Sequence, residues 1–295
     1  MQISKLIQDN RLSQAILGIS NTRLIELSKL FDIALRKSKS KQIRERAYGG
    51  GRKGALRDAL NKLVFILIYC KIYPTFDVFG FMFNINRSQA CRWVHKLLPI
   101  LEEVLSMKMV LPTRQIRSIE EFYKLCPNIK DLFIDATERP TQKKVNKKHS
   151  NKNYSGKKKS CTRKNIVISD ENKRILFLSK TKRGRKHDKK LLDSIDIIRH
   201  MPEEITLWVD SGFQGIQKQH KNTMLPKKST KKHKLSDAEK SNNKAISGIR
   251  IVIEHAIGGM KRLKCMSDIY RNRTPKMDDK FALLSAGIWN LHLSA

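Results

Sequence analysis

Apolar positions Leu24, Leu27, Phe31, Ala34 and Leu35 recur at close to 3.6 residues and predict a helix within residues 1 to 36, capped by Asn21 or Thr22. A basic, glycine-rich link follows from Arg36 to Gly54. The next apolar block, Leu60 to Tyr69, predicts a helix over 55–71, stopped before Pro74. Thr75 is placed to cap a short helix through Phe81. Asn84-Ile85-Asn86 reads as a turn, and Asn86 as the cap of a third helix from Arg87 to Leu98, ended by Pro99. Ala90, Trp93, Val94 and Leu97 then face inward. Residues 100 to 126 continue as helix and connector.

The pattern changes after residue 130. Leu132 to Ile134, Asn165 to Ser169, Arg174 to Ser179 and Ile205 to Val209 are short strand-like runs. Between the last two, Leu191, Leu192, Ile195 and Ile198 predict an amphipathic helix over 188–200. Ser236 with Glu239 has the spacing of a capping box, and the helix behind it presents Ile249, Ile253, Ala256 and Met260 to a sheet, with a kink at Gly248 left open. The order strand, strand, strand, helix, strand, insert, helix predicts an α/β unit with a mixed sheet flanked by helices. The division expected is 1–54, N-terminal helical segment and linker; 55–126, helical domain; 127–295, α/β domain.

Charge narrows the function. Lys and Arg number 61 against 27 acidic residues, a net +34, while 40% of residues are hydrophobic. A packed core with so large a cationic surplus implies a polyanionic partner. Residues 142–164 hold ten Lys or Arg and no acid, and 218–234 hold seven Lys and no acid. No apolar run approaches the roughly 18 residues of a membrane span, and no signal peptide is evident. Five scattered cysteines without a CxxC pair argue against a disulfide framework or zinc site and suit a reducing, cytoplasmic setting. Two short helices joined by a tight turn suggest a helix-turn-helix, with Arg87, Ser88, Gln89 and Arg92 facing DNA. Arg52 and Lys53, next to three glycines, and Lys157, Lys158, Lys159, Arg163 and Lys164 are the other candidate DNA-binding residues.

Three acids stand apart from these cations. Asp135 and Asp210 each end an apolar run, where ligand groups gather at a sheet rim. Glu254 lies beside the apolar stripe of the last helix named, where it either points to that rim or pairs with Arg250. Clustered carboxylates suit hard divalent cations such as Mg²⁺ or Mn²⁺, and two such ions suit phosphodiester chemistry. Asp188 is either the cap of its helix or a ligand; Glu138, His187 and His255 are possible accessory groups.

At these residues the chain resembles the insertion-sequence transposases of the DDE superfamily, related to Harbinger-type endonucleases (the insertion-sequence-five group). The matching stretches are Gly49 to Lys53, Tyr73-Pro74-Thr75, Trp93 to Pro99, Asp135 to Glu138, Tyr154 to Lys158, His187-Asp188-Lys189, Val209 to Gly215 and Glu254 to Gly258. Cys161 stands where the family more often has His, and Phe213 where Tyr is commoner. The resemblance implies an RNase H-like catalytic domain behind an all-α helix-turn-helix domain. It implies Asp135, Asp210 and Glu254 as catalytic and metal-holding residues, with two Mg²⁺ or Mn²⁺ ions between them. It further implies cleavage at terminal inverted repeats, strand transfer into target DNA, and a homodimer or higher assembly on double-stranded DNA. A regulator without catalysis, a nuclease that never joins ends, and an RNA-binding protein are the rival readings.

Overall fold

The computed structural model describes residues 3–40, 54–143, 151–230 and 234–294. The predicted DNA-binding residues Arg52 and Lys53, and parts of both lysine-rich stretches, lie outside the described residues.

Helices α1 (Ile3–Gln8), α2 (Asn10–Leu17) and α3 (Asn21–Ser40) open the chain. The predicted stripe of α3 is buried throughout, but Ser20, not Asn21 or Thr22, receives the Arg23 N–H. The helix also runs past Arg36, where a linker was expected. Helices α4 (Ala59–Ile72), α5 (Phe76–Phe83) and α6 (Arg87–Met107) follow. Asp58 caps α4 four residues later than expected, Thr75 caps α5, and Asn86 with Gln89 forms a capping box on α6. Pro99 does not end α6. Interior proline costs about 3 kcal/mol, but Leu97, Leu98, Ile100 and Leu101 are all buried around it, and each buried side chain of that size returns about 1.5–3 kcal/mol. One apolar core joins α1–α6 to Leu263, Phe281, Leu284 and Ile288 near the C-terminus.

After α7 (Ile119–Leu125) comes the sheet: β1 (Asp131–Pro140), β2 (Tyr154–Ser155), β3 (Ser160–Ser169), β4 (Ile175–Leu178), β5 (Lys182–Arg183), β6 (Thr206–Val209) and β7 (Thr223–Met224). Its main order is β4-β3-β1-β6-β7, with β3 antiparallel to β1 and β4, and with β6 and β7 parallel to β1. This mixed sheet is RNase H-like. β1 does not stop at Asp135, because the long β3 continues to pair it as far as Pro140 opposite Thr162.

Two layers cover the sheet. α8 (Asp188–Asp193) lies on one face with α7. α9 (Asp237–Lys261) and α11 (Met277–Leu293) pack on the other, linked by the short α10 (Lys264–Ser267). α8 is shorter than its apolar spacing predicts. The chain turns at Asp196, whose φ is +59°, yet Leu191, Leu192, Ile197 and Ile198 are all buried. A turn followed by a short 3-10 segment thus meets the same need as a helix. α9 has the expected capping box and continues through Gly248. α11 presents Phe281 and Leu284 to the helical core and Ala282 and Ala286 to the sheet, which ties the two cores together.

Candidate active site

Parallel pairing brings the two leading carboxylates together. Ile134 of β1 is opposite Val209 of β6, and Asp135 and Asp210 each follow one residue later. Side chains alternate along a strand. Ile134 and Val209 belong to the α8-side core, whereas Phe133 and Trp208 pack towards α9. Asp135 and Asp210 therefore face α9.

On α9 the buried stripe is Ile246, Arg250, Ile253, Ala256 and Met260. Ile249, expected in the stripe, is 43% exposed, and Arg250 takes the buried position beside it. Its Nη2 is 4.0 Å from Asp135 Oδ2, and its Nη1 is 3.6 Å from Asp210 Oδ1. Lys157 reaches Asp210 at 3.9 Å from the exposed side. Burial pushes the Asp135 carboxyl above the ordinary Asp value. The Ala136 N–H and Arg250 oppose that, and the Asp210 charge adds to it. The Ala136 N–H donates to Asp135 Oδ1 at 2.7 Å.

The opposite face of β1 carries a separate polar cluster. Glu138 pairs across the strands with Lys164, and their side chains meet at 3.2 Å. The Thr162 hydroxyl donates to Glu138 at 2.6 Å, and Lys164 Nζ donates to Asp188 at 2.7 Å. Burial raises the Glu138 carboxyl, but bonds from Thr162 and Ser155 and the Lys164 charge outweigh it and hold it below the ordinary Glu value. This cluster corrects three expectations. Lys164 is 5% exposed, so its ammonium serves two acids rather than a DNA strand. Glu138 faces away from Asp135. Asp188 does not cap α8, because His187 holds the cap position. Asp188 is nevertheless near Asp210: a side chain on Gly212 would begin 3.3 Å from Asp188 Oδ2 and 3.8 Å from Asp210 Oδ2.

Glu254 is exposed one turn beyond Arg250. Among the described residues, no three His, Cys, Asp or Glu side chains stand together as a metal-holding group. The Asp135–Asp210 pair still fits a divalent cation in its chemistry, since both are oxygen donors and both already lean on one cationic group. His187 and His255 are exposed and join neither cluster.

Arg87, Ser88, Gln89 and Arg92 are exposed at the start of α6, as expected, although the Gln89 amide oxygen is occupied by the Asn86 N–H at 3.4 Å. Lys157, Lys158 and Lys159 are exposed, and Arg163 is paired with Asp278 at 3.2 Å. In the second lysine-rich stretch, Lys227 pairs with Glu239 at 3.1 Å. No described helix is long and apolar enough to cross a membrane.

Sequence reasoning weighed Arg250 only as a partner for Glu254. The signal for its real place was the 3.6-residue series through Ile246, Ile253 and Met260, which includes position 250.

Fold and site define a nucleic-acid-processing enzyme: an RNase H-like domain with paired carboxylates behind a helical DNA-binding unit. Residues 134–290 match the family described as DDE superfamily endonuclease, and residues 55–106 match the helix-turn-helix of DDE superfamily endonuclease. The chain is 31% identical over 235 residues to the "probable transposase for insertion sequence element IS702" of Microchaete diplosiphon, covering 79% of this chain and 80% of that one. No solved structure matches. The chain belongs to the DDE superfamily endonucleases, as a DDE-type insertion-sequence transposase.

Proposed function

We propose that the chain cleaves DNA at the terminal inverted repeats of its element and transfers the freed strand into target DNA, with Asp135, Asp210 and Glu254 as its catalytic acids. The observation that carries this reading is the placement of Asp135 and Asp210 on neighbouring parallel strands, facing one helix and sharing Arg250. Glu254 is on that same helix, about 6 Å along its axis from Arg250. Asp135, Asp210 and Glu254 would hold Mg²⁺ or Mn²⁺ as two ions, which would activate the attacking oxygen and stabilise the leaving one.

The chain's own residues do the rest. Asp135 is oriented by the Ala136 N–H. Lys157, exposed beside Asp210, is placed to hold a strand by its phosphates. The Glu138–Lys164–Asp188 cluster braces β1 against β3 and the start of α8. Residues 55–126 recognise the element ends and 127–295 perform the chemistry. Joining two ends requires at least two copies on DNA.

The test is cleavage of labelled duplex carrying the element's ends, with Mg²⁺, with Mn²⁺ and with EDTA. The expected result is metal-dependent nicking that Asp210→Asn abolishes and Asp188→Asn reduces but retains. Loss confined to Asp188→Asn moves the second acid to Asp188. Specific binding without nicking in the parent leaves a regulator. Nicking without joining of pre-cut ends leaves a nuclease.

A further inference from the structure

Three clefts run from the start of α6, past the end of β1, to β5, and they share lining residues. The first, about 290 Å³, is bordered by Arg87 and Tyr73 of the helical domain and by Arg271 and Asn272. The second, about 520 Å³, takes up Arg271 and Asn272 again and adds Lys143, Arg163, Arg273 and Lys276. The third, about 510 Å³, begins at Arg163, and six of its seven lining residues are Lys or Arg. The one acid in the middle cleft, Asp278, is already paired with Arg163 at 3.2 Å.

The segment that builds the track is held in place. Tyr270 N–H donates to Pro140 O at 2.8 Å, so the segment lies along the end of β1. The Arg271 N–H donates to the Tyr73 hydroxyl at 3.2 Å, and its guanidinium lies 4.7 Å from the Tyr73 ring centre. The loop is thereby fastened to both domains, which fixes the line of cations between them.

We propose that residues 271–276, with Lys143, form a backbone-binding track for double-stranded DNA that carries the duplex from the start of α6 to the catalytic domain. The proposal rests on the reading of the chain as an end-cleaving transposase and adds to it a surface outside the carboxylate site. Thr141, which lines the middle cleft just past the end of β1, is six residues from Asp135, roughly 20 Å at 3.3 Å per residue. That distance corresponds to about six base pairs at 3.4 Å each. The phosphates gripped by the track lie that far from the scissile bond.

The test uses the full chain in EDTA and two fluorescent duplexes of equal length, one with the element's terminal repeat and one scrambled. Affinity is measured from 50 to 200 mM salt for the parent, for Arg273→Ala with Lys276→Ala, and for Arg273→Lys. Both positions are exposed, and thermal melting checks that the variants fold. Each cation withdrawn from a phosphate lowers the log–log salt slope by about 0.9. The double variant is expected to lose nearly two units of slope on both duplexes, so that the affinity drop across this salt range shrinks on the order of tenfold. Arg273→Lys is expected to keep the slope. Hydroxyl-radical protection about six base pairs from the cleavage point is expected in the parent and absent in the double variant. An unchanged slope on both duplexes overturns the track while leaving end cleavage intact. A slope change on single-stranded RNA but not on duplex DNA overturns it in favour of an RNA surface. Equal parent affinity for the two duplexes counts against the end-cleaving reading, while the slope on the scrambled duplex still decides the track.

Discussion

Arg250 stands 3.6 Å from Asp210 on the buried side of the site and at the same time 4.0 Å from Asp135. One guanidinium thus offsets two carboxylates that otherwise repel each other. Its side chain is 8% exposed, against 31% for Asp210. Removing one member of a fully buried pair costs about 3–5 kcal/mol. With Asp210 partly screened by solvent, Arg250→Gln is expected to destabilise the metal-free protein by roughly 2 kcal/mol. Added Mg²⁺ or Mn²⁺ is expected to raise the melting temperature of this variant more than that of the parent, since a bound cation replaces the lost charge. Equal metal-induced shifts in the two proteins count against a shared cation position.

Asp135 gives a prediction of opposite sign. Burial raises its carboxyl above the ordinary value in the folded protein, so the folded state binds the proton more readily than the unfolded chain. The carboxylate therefore detracts from stability above its folded pKa, and that deficit fades as pH falls towards the ordinary Asp value of 3.8. Asp135→Asn is expected to melt higher than the parent at neutral pH without metal, with the difference shrinking as the solution is acidified. Thermal melts of both proteins between pH 4 and pH 8 in EDTA check this.

The Lys164 cluster is expected to be structural. Lys164→Met leaves Glu138 and Asp188 without their shared cation in a buried place, at a cost of about 3 kcal/mol. Glu138 is held below the ordinary Glu value, so its contribution is present above pH 4.5 and is lost as pH falls through the folded value. The stability difference between parent and variant should narrow below pH 4.5. Urea unfolding at several pH values measures it; a constant gap assigns the cost to lost packing instead.

Packing of α9 on α11 is equally specific. A methyl group on Gly259 would sit 2.2 Å from the Trp289 ring. Gly259→Ala is expected to cost about 1–3 kcal/mol by overpacking and to disturb the helix that carries Arg250 and Glu254. Denaturant midpoints and near-ultraviolet circular dichroism of Trp289 report it.

On α6, Gln89 is held in a capping box, while Arg92 is exposed. Arg92→Ala is expected to weaken binding to the terminal repeat by about 1–3 kcal/mol, as for removal of a base-edge hydrogen bond, with a smaller effect on scrambled duplex. An equal loss on both duplexes assigns Arg92 to the phosphate backbone.

Much of this was determined by the sequence alone, because the information is local. Asn86 with Gln89 and Ser236 with Glu239 announce helix starts through bonds spanning three residues. The stripe of α3 follows from helical period, and β1, β3, β4 and β6 follow from short apolar runs, whereas the two-residue strands β2, β5 and β7 carry no such run. The resemblance carried by the ordered set of motifs from Gly49 to Gly258 pointed to the family to which the chain belongs. What only the tertiary structure decided depends on partners distant in the chain. β1 runs past Asp135 because β3 pairs with it, and α6 runs through Pro99 because its apolar neighbours are buried. Lys164 turns inward because two acids await it there. Arg250 enters the site because a charge in the buried stripe of α9 is tolerable only opposite two carboxylates, and those come from strands distant in the chain.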